Sequence, residues 1–443
     1  MRIIKGYKKA KPLLNRAITA EYSLVSALPK SRIGKENASV EQIVRNIIAE
    51  VQFKGDRALF FYTEKLDKVA LDTLEVTGDE IAEAYNSVDK KLVSALKVAS
   101  KRIRQFHLAC KRKLETAFLS DGVGRQVRPL DSVGIYVPGG TAAYPSTVLM
   151  TAIPARTAGV REIIMVTPPK KNGAIPAPTL VAADVAGVNR IFKIGGAQAI
   201  AALAHGTESV PKVDKICGPG NIFVAMAKKM VFGVVDIDGI QGPSEIIIVA
   251  DDTANASFCA ADLIAQAEHD PMASAILITN SAKLAAGVNQ EIKKQLIRLG
   301  RQQIVNEALE SQGMIVLIDT MDEAIRLVNL YAPEHLLLMI RNASNYLKKI
   351  DNAGCIFIGP TSPVVLGDYI AGPSHVLPTG GTARFSSPLS IDDFLKITNI
   401  VALSEADQKL LGKTAIAIAD AEGFQGHAQA IKIRLHTSKS KTK

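Results

Sequence analysis

Beyond residue 133 the chain settles into short apolar runs alternating with alanine-rich stretches of helical length, and that alternation admits few folds. Runs at 133–137, 163–166, 190–194 and 215–217 each give way to Gly or Pro punctuation and then a helical segment. A second series at 246–249, 275–279, 315–318, 337–340 and 355–358 is separated by helical patterns at about 255–268, 281–299 and 321–330. Strands that are apolar along their whole length need cover on both faces, so the pattern predicts parallel sheets flanked by helices. Two α/β units meeting near Gly242-Pro243 fit it better than one large sheet.

The flanks read differently. Val40, Ile43, Ile47 and Val51 recur at helical spacing, a Gly55-Asp56 break follows, and Thr77 and Ser87 suit the N-caps of the next two helices. After Gly359 comes a Gly/Pro-rich stretch through Gly372-Pro373, Pro378-Thr-Gly-Gly381 and Ser386-Ser-Pro388, the kind of loop on which substrate sites form. Ser390-Ile-Asp-Asp-Phe394 then reads as a capped helix start, with helices to about Arg434.

Composition narrows the function classes. The 443 residues carry a formal charge of +10, yet the lysines are scattered, Trp is absent and aromatics make up only 5%. A nucleic-acid surface of basic residues interleaved with stacking rings is therefore not expected, whereas a basic surface that attracts anionic cofactors is. No apolar run is long enough to span a bilayer, and no signal core follows the basic start. Cys110, Cys217, Cys259 and Cys355 are far apart without CxxC spacing, which points to reduced thiols and a cytoplasmic protein.

The chemistry-bearing residues lie far apart in sequence. Gln266 and His269, three apart at the end of an apolar helical run, place an amide oxygen and an imidazole on one helix face, as metal ligands need. With Asp368 and His427 as further ligands the set suits Zn²⁺; on spacing alone the pair reads first as surface or satisfied core polar groups. Glu334-His335 sets a carboxylate beside an imidazole after Pro333, apt for proton transfer near neutral pH, or a plain turn with a surface histidine. His107, His205 and His436 read as structural or solvated.

Three glycine-rich strand exits, Val137-Pro-Gly-Gly140, Ile194-Gly-Gly-Ala-Gln198 and Gly218-Pro-Gly-Asn221, fall in one unit. They are either phosphate cradles or simple turns. Phe223 stands where a dinucleotide fingerprint has its third glycine, so the ordinary Rossmann turn is not expected. Cys217 beside this loop is the candidate nucleophile of a rival reading, an aldehyde dehydrogenase working through a thiohemiacetal.

Taken together, these segments resemble histidinol dehydrogenases. The likeness runs from about 40 to 435 through Gly134-Ile-Tyr-Val-Pro-Gly-Gly140, Gly195-Gly-Ala-Gln198, Gly218-Pro-Gly-Asn221, Gly242-Pro-Ser-Glu245, Gln266-Ala-Glu-His269, Ala332-Pro-Glu-His335, Gly367-Asp-Tyr369, His375-Val-Leu-Pro-Thr379, and Glu422-Gly423 with His427. The resemblance implies a zinc-dependent, NAD-linked oxidation of L-histidinol to L-histidine through the aldehyde, with one Zn²⁺ per subunit held by Gln266, His269, Asp368 and His427. It implies Glu334 and His335 as the acid/base pair, NAD⁺ contacts at Tyr136, Gln198 and Asn221, and substrate contacts at Ser244, His335, His375 and Glu422 beside the metal ligands. It also implies a homodimer whose C-terminal segments complete the partner's site. Val364 departs from the pattern, since some relatives carry an acid there.

The expected fold is α/β, with two incomplete Rossmann-like parallel-sheet domains, a helical N-terminal flank and an extended helical C-terminal segment, an aldehyde dehydrogenase-like architecture. The expected division is an N-terminal extension at 1–32, a first domain at 33–135 and 245–388, an NAD-binding domain at 136–244, and a swapped C-terminal segment at 389–443 with a basic tail. Competing readings are a binding or regulatory protein that keeps the fold without catalysis, and an enzyme acting on another zinc-chelating amino alcohol.

Overall fold

The computed structural model describes residues 1–16, 39–114, 117–139 and 143–437. Gly140 of the first glycine turn and the basic tail beyond 437 lie outside the described residues. The chain forms two compact units, one of Met1–Lys111 with Leu130–Phe394, the other of Arg112–Pro129 with the segment from Leu395 onward.

The first unit holds two all-parallel sheets; strands are numbered along the chain. The six-stranded sheet runs β1 (Arg2–Lys5), β11 (Met314–Leu317), β10 (Ser274–Thr279), β9 (Glu245–Ala250), β12 (His335–Met339), β13 (Cys355–Ile358). The period-2 geometry of its strands separates two cores: Ile246, Ile248, Leu277 and Leu337 face one side, while Ile247, Val249, Ile278 and Leu338 face the other. The five-stranded sheet runs β6 (Arg190–Phe192), β5 (Glu162–Val166), β4 (Ser132–Tyr136), β7 (Lys215–Cys217), β8 (Asp236–Ile237).

The packing redraws the expected domain grouping. The helical flank carries Val40, Val44, Ile47 and Val51 into one core with Tyr136, Ile164 and Phe192, so these residues cover the five-stranded sheet rather than joining 245–388. A boundary at 135/136 would cut β4. The N-terminal segment is no mere extension, since β1 pairs along β11 as an edge strand and the helix Tyr7–Leu14 buries Ala10 and Leu14 in the core.

Local expectations diverge at two further places. Thr77 does cap the helix Gly78–Ser87 through a full capping box, but Ser87 ends that helix. Asp89 takes the second capping role, accepting from Lys91 N–H at 2.8 Å ahead of the helix Lys90–Lys113. The turn at Ile391–Phe394 does not grow into a helix. The β-branched run that follows becomes β14 (Leu395–Val401), antiparallel to β3 (Val123–Pro129), which also pairs with β2 (Phe118–Ser120). Helices Glu405–Ala421 and Gln425–Thr437 complete the second unit and pack on each other. Among the described residues no helix is long and apolar enough to cross a membrane.

Candidate active site

The acid/base residues sit where strands of the six-stranded sheet begin. Expected to start at 337, β12 starts at His335, which brings the imidazole into the sheet edge beside Glu245 at the start of β9. His335 and Glu334 are both buried. Gly354 permits this approach: a Cβ there would lie 2.6 Å from the Glu334 carbonyl oxygen.

One peptide neighbourhood holds both side chains. The N–H of Glu245 donates to Glu334 Oε2 at 2.7 Å, and the carbonyl of Glu245 accepts from His335 Nδ1 at 3.1 Å. The other ring nitrogen, Nε2, faces Asp368 Oδ1 at 3.6 Å, so both nitrogens of the ring point at acceptors. Glu334 Oε2 lies 3.4 Å from Nδ1. Burial opposes a charge on His335, but Glu334 and Asp368 outweigh it and hold the imidazole well above its ordinary pKa. Burial likewise opposes the Asp368 carboxylate, and His335, His375 and His269 together overcome it, holding that carboxyl below its ordinary value.

Asp368 lies on the short helix Val364–Tyr369, which packs against the helix Ala256–Ala267 that carries Gln266. Val364, where an acid was conceivable, is a core residue packed with Leu263 and Phe357. Asp262, one turn before Gln266, accepts from the Val364 N–H, and burial pushes its carboxyl up to about 6. Gln266 is buried, and its Nε2 has no hydrogen-bond partner among the described residues. His269 follows the helix end and is exposed. His375 donates from Nδ1 to the Asp368 carbonyl at 2.8 Å; burial lowers its pKa although Asp368 opposes the shift. A cavity of about 380 Å³ is lined by His335, Cys355, Phe357, Gly367, Asp368 and His375. Ser244 is half-buried just before β9.

Glu422 and His427 belong to the second unit, and both are exposed there. Among the described residues no three His, Cys, Asp or Glu side chains form a ready metal cluster. Within the first unit the expected ligand set contributes only one such carboxylate and one such imidazole, beside an amide.

The glycine turns lie at the opposite ends of strands, beyond the carboxyl termini of β4, β6 and β7. Gly218 has φ +110°, and a Cβ there would sit 2.2 Å from the Tyr136 carbonyl oxygen, so no larger residue fits. Tyr136 is buried, its hydroxyl accepts from the Gly196 N–H at 3.2 Å, and burial pushes its pKa to about 12. Gln198 is buried, and its Oε1 has no partner among the described residues. The Asn221 side-chain oxygen is already engaged, capping the helix Ile222–Val231 by accepting from Phe223 and Val224 N–H, which leaves its amide nitrogen to face a ligand.

The rival nucleophile fares poorly. Cys217 is fully buried, and desolvation, reinforced by Asp238, holds its thiol protonated far above the ordinary range. Arg16 and Asp262 escaped the sequence reading, and Glu245 entered it only as the last residue of the Gly242-Pro-Ser-Glu245 motif, without a role. The one available signal was an acid at the head of the otherwise apolar run Ile246-Ile-Ile-Val-Ala250.

Two parallel sheets joined in one unit, with a buried carboxylate–imidazole pair at a strand edge, define an α/β enzyme. The chain belongs to the histidinol dehydrogenase family and is an oxidoreductase: the family model for histidinol dehydrogenase matches residues 30–435. It is 52% identical to a histidinol dehydrogenase of Dehalococcoides mccartyi over 436 residues, 98% of this chain and 100% of the relative. It is 53% identical to that of Clostridium acetobutylicum over 407 residues, 91% of this chain and 94% of the relative. The crystal structure of histidinol dehydrogenase from Elizabethkingia anophelis superposes with a TM-score of 0.90 at 35% identity, covering 99% of both chains.

Proposed function

We propose that this chain oxidises L-histidinol to L-histidine through L-histidinaldehyde, with two NAD⁺ and a zinc ion, in histidine biosynthesis. The observation that carries the reading is His335, buried between Glu334 and Asp368 and opening on a cavity large enough for a small ligand. The donor set of Gln266, His269, Asp368 and His427 fits zinc in its chemistry, and the influence of the His269 imidazole on the Asp368 carboxyl supports it. When bound, zinc supplies a charged template for the imidazole and amine of histidinol. NAD⁺ supplies the hydride acceptor, and the unpartnered Gln198 oxygen and the Gly218 cradle support its place at the glycine turns.

In the first oxidation His335 Nε2 takes the hydroxyl proton as the carbinol carbon gives up hydride, yielding the aldehyde. Asp368 cannot serve a metal and hold an imidazolium with the same charge, so its engagement frees His335 to act as base. In the second, Glu334 draws a proton from water as its oxygen adds to the aldehyde carbon. The proton that His335 took in the first step passes to the aldehyde oxygen, giving the hydrate, and the neutral His335 then takes a hydroxyl proton as the hydrate loses hydride to a second NAD⁺. The sum consumes one water and gives two NADH per histidinol. Ser244, His375 and Glu422 orient the substrate.

The second unit exposes Ile397, Val401, Leu410, Ile418 and Phe424, apolar surface that supports a homodimer in which Glu422 and His427 complete the partner's site. Free Cys110, Cys217, Cys259 and Cys355 support a reducing compartment, the cytoplasm. The test is an NADH assay with histidinol on metal-replete and chelated protein. The expected result is two NADH per histidinol, lost on chelation and restored by zinc; turnover indifferent to chelation, or one NADH per histidinol, counts against the reading.

A further inference from the structure

Behind Glu334 and His335 lies a second layer of buried charge that the chemistry above does not use. The Glu245 side chain is buried. Its Oε1 accepts from Arg16 Nη1 at 2.6 Å and from the Gly380 N–H at 3.0 Å, while Oε2 is buried with no partner among the described residues. The Arg16 guanidinium is itself nearly buried, lies 3.6 Å above the Tyr331 ring and donates to the Tyr331 hydroxyl. Burial pushes the Glu245 carboxyl up, Arg16 pulls it down, and Glu334 pushes it up again, so the two carboxylates bear on each other and the Arg16 guanidinium is the countercharge that offsets them.

We propose that Arg16 and Glu245 are a positioning couple for Glu334 and His335. Arg16 supplies the countercharge that keeps the Glu245 side chain fixed. The Glu245 peptide groups then hold the Glu334 carboxylate by its N–H and fix the His335 proton on Nδ1 by its carbonyl, leaving Nε2 as the base. An arginine beyond the first helix, in a stretch that reads as an N-terminal extension, thereby acts on the acid/base pair at one remove. The inference rests on the reading of Glu334 and His335 given above.

Removing Arg16 alone leaves two buried carboxylates facing each other, and one takes up a proton or moves. Removing both charges returns the net charge of these three side chains to that of the wild type. The experiment measures kcat and KM for histidinol and for histidinaldehyde on zinc-loaded full-length wild type, R16M, R16K, E245Q, R16M/E245Q and E334Q, with melting temperatures alongside. R16M is expected to lose about 100-fold in kcat for the aldehyde and about 10-fold for the alcohol, with KM for histidinol within about threefold. R16K is expected to fall between R16M and wild type. R16M/E245Q is expected to recover at least about tenfold over R16M on the aldehyde, a rescue that a packing role alone does not give.

Two results overturn the couple: R16M with both kcat values within twofold of wild type, or a double variant no better than R16M at equal folded fraction. Should R16M fail to fold, the same judgement passes to E245Q and the double variant. An E334Q protein with undiminished aldehyde oxidation overturns the parent reading and the couple with it. Loss in E334Q beside an unaffected R16M overturns the couple alone.

Discussion

The amino edge of the six-stranded sheet and the carboxyl edge of the five-stranded sheet solve opposite problems. At the first, strands begin with Glu245 and His335, and function rests on charged side chains that burial makes costly and that neighbours must neutralise. At the second, strands end in glycine turns, and what is presented is backbone, shaped by the positive φ of Gly218 and the cap of Asn221. Each edge also has its own buried ion pair behind it: Arg16–Glu245 behind the acid/base residues, and Lys228–Asp238 behind the turns. Lys228 Nζ reaches Asp238 at 2.5 Å, the Gly218 carbonyl at 3.0 Å and Gln241 at 2.9 Å, while Asp238 accepts from the Gly218 N–H at 2.7 Å. On the function proposed above, chemistry falls to side chains at one edge and cofactor shape to main chain at the other. Variants at the two edges are expected to fail in different ways.

The largest effect is expected at the amino edge. His335→Asn removes the base of both oxidations and is expected to lower kcat for alcohol and aldehyde by about 10²- to 10⁴-fold. Its affinity for NAD⁺, read by thermal shift, stays near wild type. Glu334→Gln is expected to spare the alcohol step and cripple the aldehyde step. Equal loss of both in the Glu334 variant would sink the division of labour between these neighbours.

The next effect belongs to the carboxyl edge. Lys228→Met strands the Asp238 carboxylate, which is 1% exposed, and loosens the Gly218 turn. A cost of about 3–5 kcal/mol in unfolding free energy is expected, with weaker NAD⁺ binding in the folded fraction. The ratio of aldehyde to alcohol turnover is expected to stay unchanged, because nothing at the amino edge has moved. A changed ratio in Lys228→Met would break the separation between the edges.

How much of this was legible in sequence follows from how local each signal is. The strand runs 246–249 and 275–279 announce themselves because a central parallel strand is apolar at every position, and the structure places β9 and β10 there. The strand Val123–Pro129 hid because its pattern, Val-Gly-Arg-Gln-Val-Arg-Pro, is half-exposed and its full-length partner comes from residues 395–401. Site residues showed the same division. Gln266 and His269 are three apart and could be paired by spacing, although the helix ends at Ala267, before His269. Arg16 and Glu245 are 229 positions apart, and nothing local to either foretells the contact. The grouping of the helical flank failed for the same reason, since an amphipathic helix shows which face is buried and not against which sheet.

The smallest effect lies outside both edges and tests a rule they share, that a buried ionisable group stays charged only beside a partner. His107, on the helix Lys90–Lys113, is fully buried, and neither ring nitrogen has a hydrogen-bond partner among the described residues. Burial pushes its pKa down to about 4 from an ordinary 6.5. Because the folded value is the lower one, the unfolded chain binds the proton more readily as pH falls through 6.5, and stability drains away until about pH 4. Between pH 7.5 and 5.5 this amounts to about 1.4 kcal/mol. Asp67 and Asp262 run the other way, since burial pushes both carboxyls up to about 6 and the folded state gains stability as they protonate. The wild-type pH profile therefore mixes opposing slopes, and the difference between wild type and His107→Leu isolates the histidine. Denaturant unfolding at the two pH values is expected to show the variant losing about 1.4 kcal/mol less than wild type on acidification. Parallel profiles would mean that His107 finds a partner for its charge, and the rule would fail at this site.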